Sequence, residues 1–162
     1  MAHKETLITW LNDAYSVEQS YAQMLERHRQ EAKDMPEVSS KIDELIASAR
    51  RHAEEDKECI ERLGGDVSRL KKAMASLMGT VGGAINRPGK DAVIQNALEE
   101  YAVEQLEIAS YRALVTAAEK VGEMEVAAKC REILQEEEQA ASWLQGKIPQ
   151  LVEEHMERAA AM

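Results

Sequence analysis

Apolar residues recur at every third or fourth position through four long stretches of this chain, and that spacing is typical of helices with one buried face. The stretches predict four bundle helices, over residues 4–34, 40–63, 91–120 and 123–148. Pro149 is expected to kink or end the last helix, because proline cannot donate a backbone hydrogen bond. The chain contains no Phe, 8 Gly and 3 Pro, a composition that favours long helices and excludes an all-β fold.

The connection between the second and third helices is much longer than the other two. It covers residues 64–90, and a Met-rich amphipathic segment at 70–78 predicts a short helix within it. The motif Tyr-x-Val-Glu-Gln occurs at residues 15–19 and again at 101–105, which indicates two similar helical hairpins. Two hairpins joined by one long crossover predict an all-α, ferritin-like four-helix bundle, and 162 residues suffice for a single domain over 1–162.

The charge of the chain excludes two classes of partner. Asp and Glu number 30 against 20 Lys and Arg, and the formal net charge of −10 repels both nucleic acid and anionic membranes. No stretch is apolar enough to span a membrane and no secretion signal is recognisable, so we expect a cytoplasmic protein. In that compartment Cys59 and Cys130 are expected to be reduced, buried thiols.

Acidic side chains occupy positions that should face the core. Glu18, Glu104 and Glu137 each fall within the apolar stripe of their helix, and His52 and Asp56 lie on or beside the stripe of the second helix. A buried carboxylate without a partner costs several kcal/mol, and these stripes contain no Lys or Arg to neutralise the acids. The pattern therefore predicts a bound cation among the four helices.

The type of side chain indicates which cation. Di-iron bundles use one Glu from each of two helices and a Glu-x-x-His motif from each of the others. This chain fits that pattern in part, because His52 precedes Glu55 and Ala140 stands three residues after Glu137. A carboxylate-rich set with one imidazole favours iron or manganese over zinc. The alternative is a polar core network in which the acids share protons or lie in solvated grooves.

Four tyrosines lie near these acids along their helices: Tyr15, Tyr21, Tyr101 and Tyr111. They are expected either to fill the core or to donate hydrogen bonds to carboxylates. His28 lies about 15 Å along the helix from Glu18 at 1.5 Å per residue, too far to share its metal.

The motifs resemble those of the YciE/YciF-type ferritin-like proteins over about residues 5–150. The similarity lies in Asp13-Ala-Tyr-Ser-Val-Glu18, His52-Ala-Glu-Glu55, Glu104-Gln-Leu-Glu107-Ile-Ala-Ser-Tyr111 and Leu134-Gln-Glu-Glu137. The resemblance implies a bacterial, cytoplasmic, stress-associated four-helix bundle that is commonly dimeric and contains a di-iron site.

Carried over by position, the resemblance implies six metal ligands: Glu18, His52, Glu55, Glu104, Glu107 and Glu137. Two positions depart from the family, since Asp56 stands where Thr is usual and Ala141 stands where Asp is usual. By its angle on the helix Asp56 points inward better than Glu55 does. The two residues remain alternatives for the second helix.

A dinuclear iron or manganese centre of this kind can bind O₂ or peroxide and oxidise Fe(II). We therefore expect a ferroxidase or a peroxide-handling protein of the stress response, although the sequence singles out no catalytic residue. The alternative is a metal-free helical stress protein that acts through dimerisation or a protein partner. A homodimer is expected in either case, because a second copy of the chain would bury the apolar residues of the long connection.

Overall fold

The computed structural model describes residues 2–67 and 89–162, and this part of the chain forms four helices and no strand. They are α1 (Ala2–Glu31), α2 (Pro36–Arg62), α3 (Ala92–Lys120) and α4 (Met124–Ala160). The predicted all-α four-helix architecture is confirmed. The short helix expected at 70–78 lies outside the described residues. None of these four helices is both long and apolar enough to cross a membrane.

The helices pair as two hairpins. α1 packs closely on α2 and α3 packs closely on α4, while α1 and α3 join the hairpins and α2 and α4 contact each other only sparsely. Gly122 ends α3 with a φ of 79°, a left-handed conformation that lets the chain reverse within a few residues into α4. Within residues 2–67 and 89–162 the bundle therefore has one open seam, between α2 and α4.

Two helix boundaries differ from those predicted by more than three residues. α2 begins at Pro36 rather than at 40, because proline at the first helical position loses no hydrogen bond and has a suitable φ. α4 continues through Pro149 to Ala160 rather than ending at 148. Leu151, just beyond the proline, is buried in the core, and its burial offsets the backbone hydrogen bond that Pro149 cannot donate.

The apolar core is divided into two clusters that lie at opposite ends of the bundle. One contains Leu7 of α1 and Ile133 of α4, and the other contains Leu25 of α1 and Leu144 of α4. On every helix the boundary between the clusters coincides with buried polar residues: Glu18, His52, Asp56, Glu104, Glu107 and Glu137. The bundle therefore has a polar layer near its middle, enclosed by apolar side chains on both sides.

Candidate metal centre

Every helix contributes to the polar layer. Its six side chains come from α1 (Glu18), α2 (His52, Asp56), α3 (Glu104, Glu107) and α4 (Glu137), and none of these residues is more than 3% exposed. They reach the same layer because each interrupts the inward-facing stripe of its own helix. Five carboxylates and one imidazole are thus brought together away from solvent.

One group of possible ligands contains Glu18, His52 and Glu137. Their ligand atoms lie within 4.8 Å of one another. Nδ1 of His52 is 3.3 Å from Oε1 of Glu18 and 2.6 Å from Oε1 of Glu137. Three helices therefore place one nitrogen and two oxygen atoms where a single cation could bind them.

A second group contains Glu104, Glu107 and Glu137, whose ligand atoms also lie within 4.8 Å of one another. Glu137 belongs to both groups, and a carboxylate has two oxygens with which to contact two cations. The arrangement can thus accommodate two neighbouring ions with Glu137 between them.

Two tyrosines hold carboxylates of this layer in position. The hydroxyl of Tyr111 lies 2.7 Å from Oδ2 of Asp56 and 2.9 Å from Oε1 of Glu18, so its hydrogen can be donated to either acid. The hydroxyl of Tyr21 donates to Oε1 of Glu104 at 2.8 Å. Tyr15 instead accepts a hydrogen bond from Gln19.

Other oxygens of the layer have no such partner. In their ionised forms, five buried carboxylate oxygens here lack a hydrogen-bond donor: Oε2 of Glu18, Oδ1 of Asp56, Oε2 of Glu104 and both oxygens of Glu107. Buried polar atoms are nearly always paired in folded proteins. Either protons or cations must therefore occupy the space between these acids.

The pKa values show how the layer is protonated without a cation. Burial, together with the nearby charge of Glu137, raises the pKa of Glu18 to about 7. Burial and the hydrogen bond with Glu137 raise the pKa of Glu104 to about 11, and burial raises the pKa values of Glu107 and Asp56 well above their ordinary range. Glu104 therefore keeps its proton at neutral pH, and the upward shifts of Glu107 and Asp56 favour their protonated forms. A divalent cation would have to displace these protons.

Glu137 and His52 form the charged pair of the layer. Burial opposes the ionisation of both groups. Hydrogen bonds from Glu104 and His52 nevertheless lower the pKa of Glu137, while hydrogen bonds with Glu137 and Glu18 raise the pKa of His52 to about 11. The layer thus contains an ionised Glu137, the residue shared by both groups of ligands.

The structure separates the two alternatives on α2. Glu55 is turned away from the layer, with a side chain 22% exposed and its Oε1 atom 3.4 Å from Nζ of Lys129. Asp56 is fully buried beside Tyr111. Of the six side chains that the family resemblance implied as ligands, five lie in the layer and Glu55 does not. Asp56 is the acid that α2 contributes to the layer, although it belongs to neither group of possible ligands.

Glu136 was missed by sequence reasoning. It lies on the exposed side of α4, yet it accepts a hydrogen bond from Nε2 of His52 at 2.6 Å. It also forms an ion pair with Arg51. No periodic signal marks it, because its position belongs to the polar face of the helix.

A second buried polar cluster was also missed. Nδ1 of His28 lies 2.8 Å from Oε1 of Glu100, and Nε2 lies 3.2 Å from Oε2 of Glu99. The two ring nitrogens face different carboxylates, so each acid is paired with the imidazole directly. This cluster is internally satisfied, as the central layer is not.

Comparisons with known proteins agree with this description. The sequence profile of a family described as a domain of unknown function, DUF892, matches residues 2–157. The chain therefore belongs to the DUF892 family. A crystal structure of a protein from Xanthomonas campestris is similar to this DUF892 chain, with 31% identity, a TM-score of 0.83 and coverage of 99% of both chains.

Two further structures show which fold this DUF892 member has. The Escherichia coli stress protein YciF is 25% identical, with a TM-score of 0.68 over 93% of this chain and 97% of YciF, which confirms the predicted YciE/YciF-type family. Bacterioferritin from Desulfovibrio desulfuricans, a protein with a di-iron site, is 19% identical, with a TM-score of 0.76 over 94% of this chain and 83% of its own. The fold is therefore the predicted ferritin-like bundle.

Proposed function

We propose that this protein binds a dinuclear iron centre in its central polar layer, with manganese as the other suitable metal. Glu18, His52 and Glu137 would hold one ion, and Glu104, Glu107 and Glu137 would hold the other. The observation that carries the proposal is the set of five buried carboxylate oxygens that lack a hydrogen-bond donor. A cation bound among them would supply the missing partner.

The second buried cluster argues against a purely structural role for these acids. Glu99 and Glu100 are as deeply buried, but each is paired with His28. The central layer has five acids for one imidazole, and no Lys or Arg reaches it among the described contacts. A polar network selected only for packing would be expected to pair its members, as the His28 cluster does.

The donor set supports iron or manganese. One imidazole and a majority of carboxylates suit these ions better than zinc, which favours nitrogen and sulfur ligands. The two cysteines do not enter this set, since Cys59 and Cys130 are buried free thiols with raised pKa values. Burial is the main cause of both shifts, and it keeps the thiols protonated.

A bound iron centre would allow O₂ or peroxide to oxidise Fe(II). The activity would then be that of a ferroxidase or a peroxide-handling protein. The residues of the chain would control the protons. The acids that bind metal must first release their protons, and Tyr21 and Tyr111 keep a phenolic proton beside Glu104 and Glu18. The similarity to a stress protein supports a role in the stress response. We further propose that the protein acts in the cytoplasm as a homodimer.

The test is metal binding by the purified chain. Elemental analysis of protein prepared without added metal, and anaerobic titration with Fe(II), should give about two ions per chain. Glu18→Ala and Glu104→Ala should lose this binding, while Glu138→Gln, at an exposed position of α4, should keep it. Wild-type binding by both Ala variants would contradict the proposal. Absence of binding by wild type would favour the metal-free alternative, a helical protein acting through its dimer or a partner.

A further inference from the structure

A cavity of about 280 Å³ lies in the open seam between α2 and α4. Its inner wall is formed by buried residues of the polar layer, which are Glu18, His52, Glu104 and Glu137. Its outer wall carries charged side chains that reach solvent, which are Lys41, Glu44, Arg51 and Glu136. The cavity therefore joins the surface to the proposed metal centre.

Glu136 links the two walls of this cavity. Its side chain is 44% exposed, and its Oε2 atom contacts both the guanidinium of Arg51 and Nε2 of His52. The other acid of the outer wall, Glu44, is more exposed and is paired with Lys41 at 3.1 Å. Among the cavity residues, Glu136 is thus the acid that touches solvent and a side chain of the layer at once.

We propose that Glu136 is the uptake carboxylate, which binds a divalent cation arriving from solvent and delivers it through the cavity to Glu18, His52 and Glu137. Arg51 covers Glu136 when no cation is passing. The inference rests on the proposed function, since it requires a metal centre at the inner wall. A buried site needs such a step, because a hydrated dication must lose its bound water before it enters. That loss is easier when carboxylate oxygens replace the water molecules one after another.

Glu136 has a rival role that the experiment must separate from uptake. A carboxylate that accepts a hydrogen bond from a metal-binding imidazole can simply orient that ring. Loss of orientation would weaken the equilibrium affinity for metal. Loss of an uptake residue would instead slow both loading and release and leave the affinity unchanged, because it alters the barrier and not the end states.

Glu136→Gln is the appropriate change. The Gln carbonyl can still accept a hydrogen bond from His52, so the ring keeps its orientation while the negative charge is removed. α4 also offers a matched control two residues away. Glu138 is 45% exposed and forms an ion pair with Arg112, as Glu136 does with Arg51, but it does not line the cavity.

The experiment uses the full-length apoprotein and Co²⁺, whose ligand-field absorption reports binding without any redox turnover. Stopped-flow mixing measures the loading rate, excess chelator measures the release rate, and titration measures stoichiometry and affinity. Glu136→Gln should slow loading and release about tenfold each, the lower end of electrostatic effects on association. Arg51→Gln should load faster than wild type. Glu138→Gln and Arg112→Gln should match wild type.

Each outcome has a distinct meaning. Equal loading rates for Glu136→Gln and Glu138→Gln, with normal stoichiometry, would overturn the uptake role and leave the metal centre intact. Weaker affinity of Glu136→Gln without slower release would assign it the orienting role and would also overturn the inference. Failure of wild type to bind Co²⁺ would overturn both the metal centre and the uptake role.

Discussion

Replacing Glu107 by Leu should stabilise the metal-free protein. Both oxygens of the Glu107 carboxylate lack a hydrogen-bond donor when ionised, and only 2% of the residue is exposed. Burial and the charges of Glu18 and Glu137 raise its pKa well above the ordinary range, which favours the protonated, neutral acid. As an acid it can donate one hydrogen bond, and its remaining oxygen stays unpaired.

The size of the effect follows from that unpaired group. A buried polar atom without a partner costs about 1–3 kcal/mol, and Leu has nearly the same volume as Glu but no polar atoms. We expect the free energy of unfolding to rise by about 2 kcal/mol in Glu107→Leu. For a chain of this length that corresponds to an increase in Tm of roughly 4–8 °C.

Glu100→Leu is the matched control, because Glu100 also lies on α3 and is 3% exposed. Its Oε1 atom is paired with Nδ1 of His28 at 2.8 Å. Removing one partner of a buried charged pair costs about 3–5 kcal/mol, and Glu99 remains to compensate in part. We therefore expect the free energy of unfolding to fall by about 3 kcal/mol in Glu100→Leu, whereas it rises in Glu107→Leu.

Urea unfolding at pH 7 in the presence of a chelator measures both variants. Added Co²⁺ should then raise the Tm of wild type but have a much smaller effect on Glu107→Leu, because a ligand stabilises a fold in proportion to its binding. A loss of stability in Glu107→Leu like that of Glu100→Leu would show that Glu107 has a partner in the folded protein. Equal stabilisation of Glu107→Leu and wild type by metal would show that Glu107 is not a ligand.

Three further predictions concern the rest of the chain. Hydrogen bonds with Glu100 and Glu99 raise the pKa of His28 to about 9, against the effect of burial. The stabilisation of the fold by protonated His28 is therefore complete below pH 6.5 and is lost as the pH rises through 9. Unfolding free energies should fall by up to about 3 kcal/mol over that interval, and His28→Gln should flatten this dependence. Cys59 and Cys130 should react with a thiol reagent only after denaturation, and absence of free thiol in denatured, unreduced protein would contradict this. Light scattering should give a dimer of the 18.1 kDa chain, and a monomer mass at micromolar concentration would count against it.

The helices and the inward acids were predictable from sequence, because helical periodicity is a local property. A repeat of 3.6 residues assigns each side chain to a face without knowledge of any other helix. That is why Glu18, Glu104 and Glu137 could be recognised as acids within apolar stripes. The same local geometry favoured Asp56 over Glu55, since neighbouring residues are turned about 100° apart on a helix. The resemblance favoured Glu55, which the structure places beside Lys129 at the edge of the bundle.

The pairings between helices were decided only by the tertiary structure. Glu136 meets His52 across 84 residues of sequence, and His28 meets Glu100 across 72. Whether two such side chains touch depends on the rotation and axial shift of one helix against another. Those quantities are set by the packing of all four helices at once and leave no periodic trace in any one of them. Sequence therefore determined the bundle and its acidic layer, whereas packing decided which acids have partners and where the layer opens to solvent.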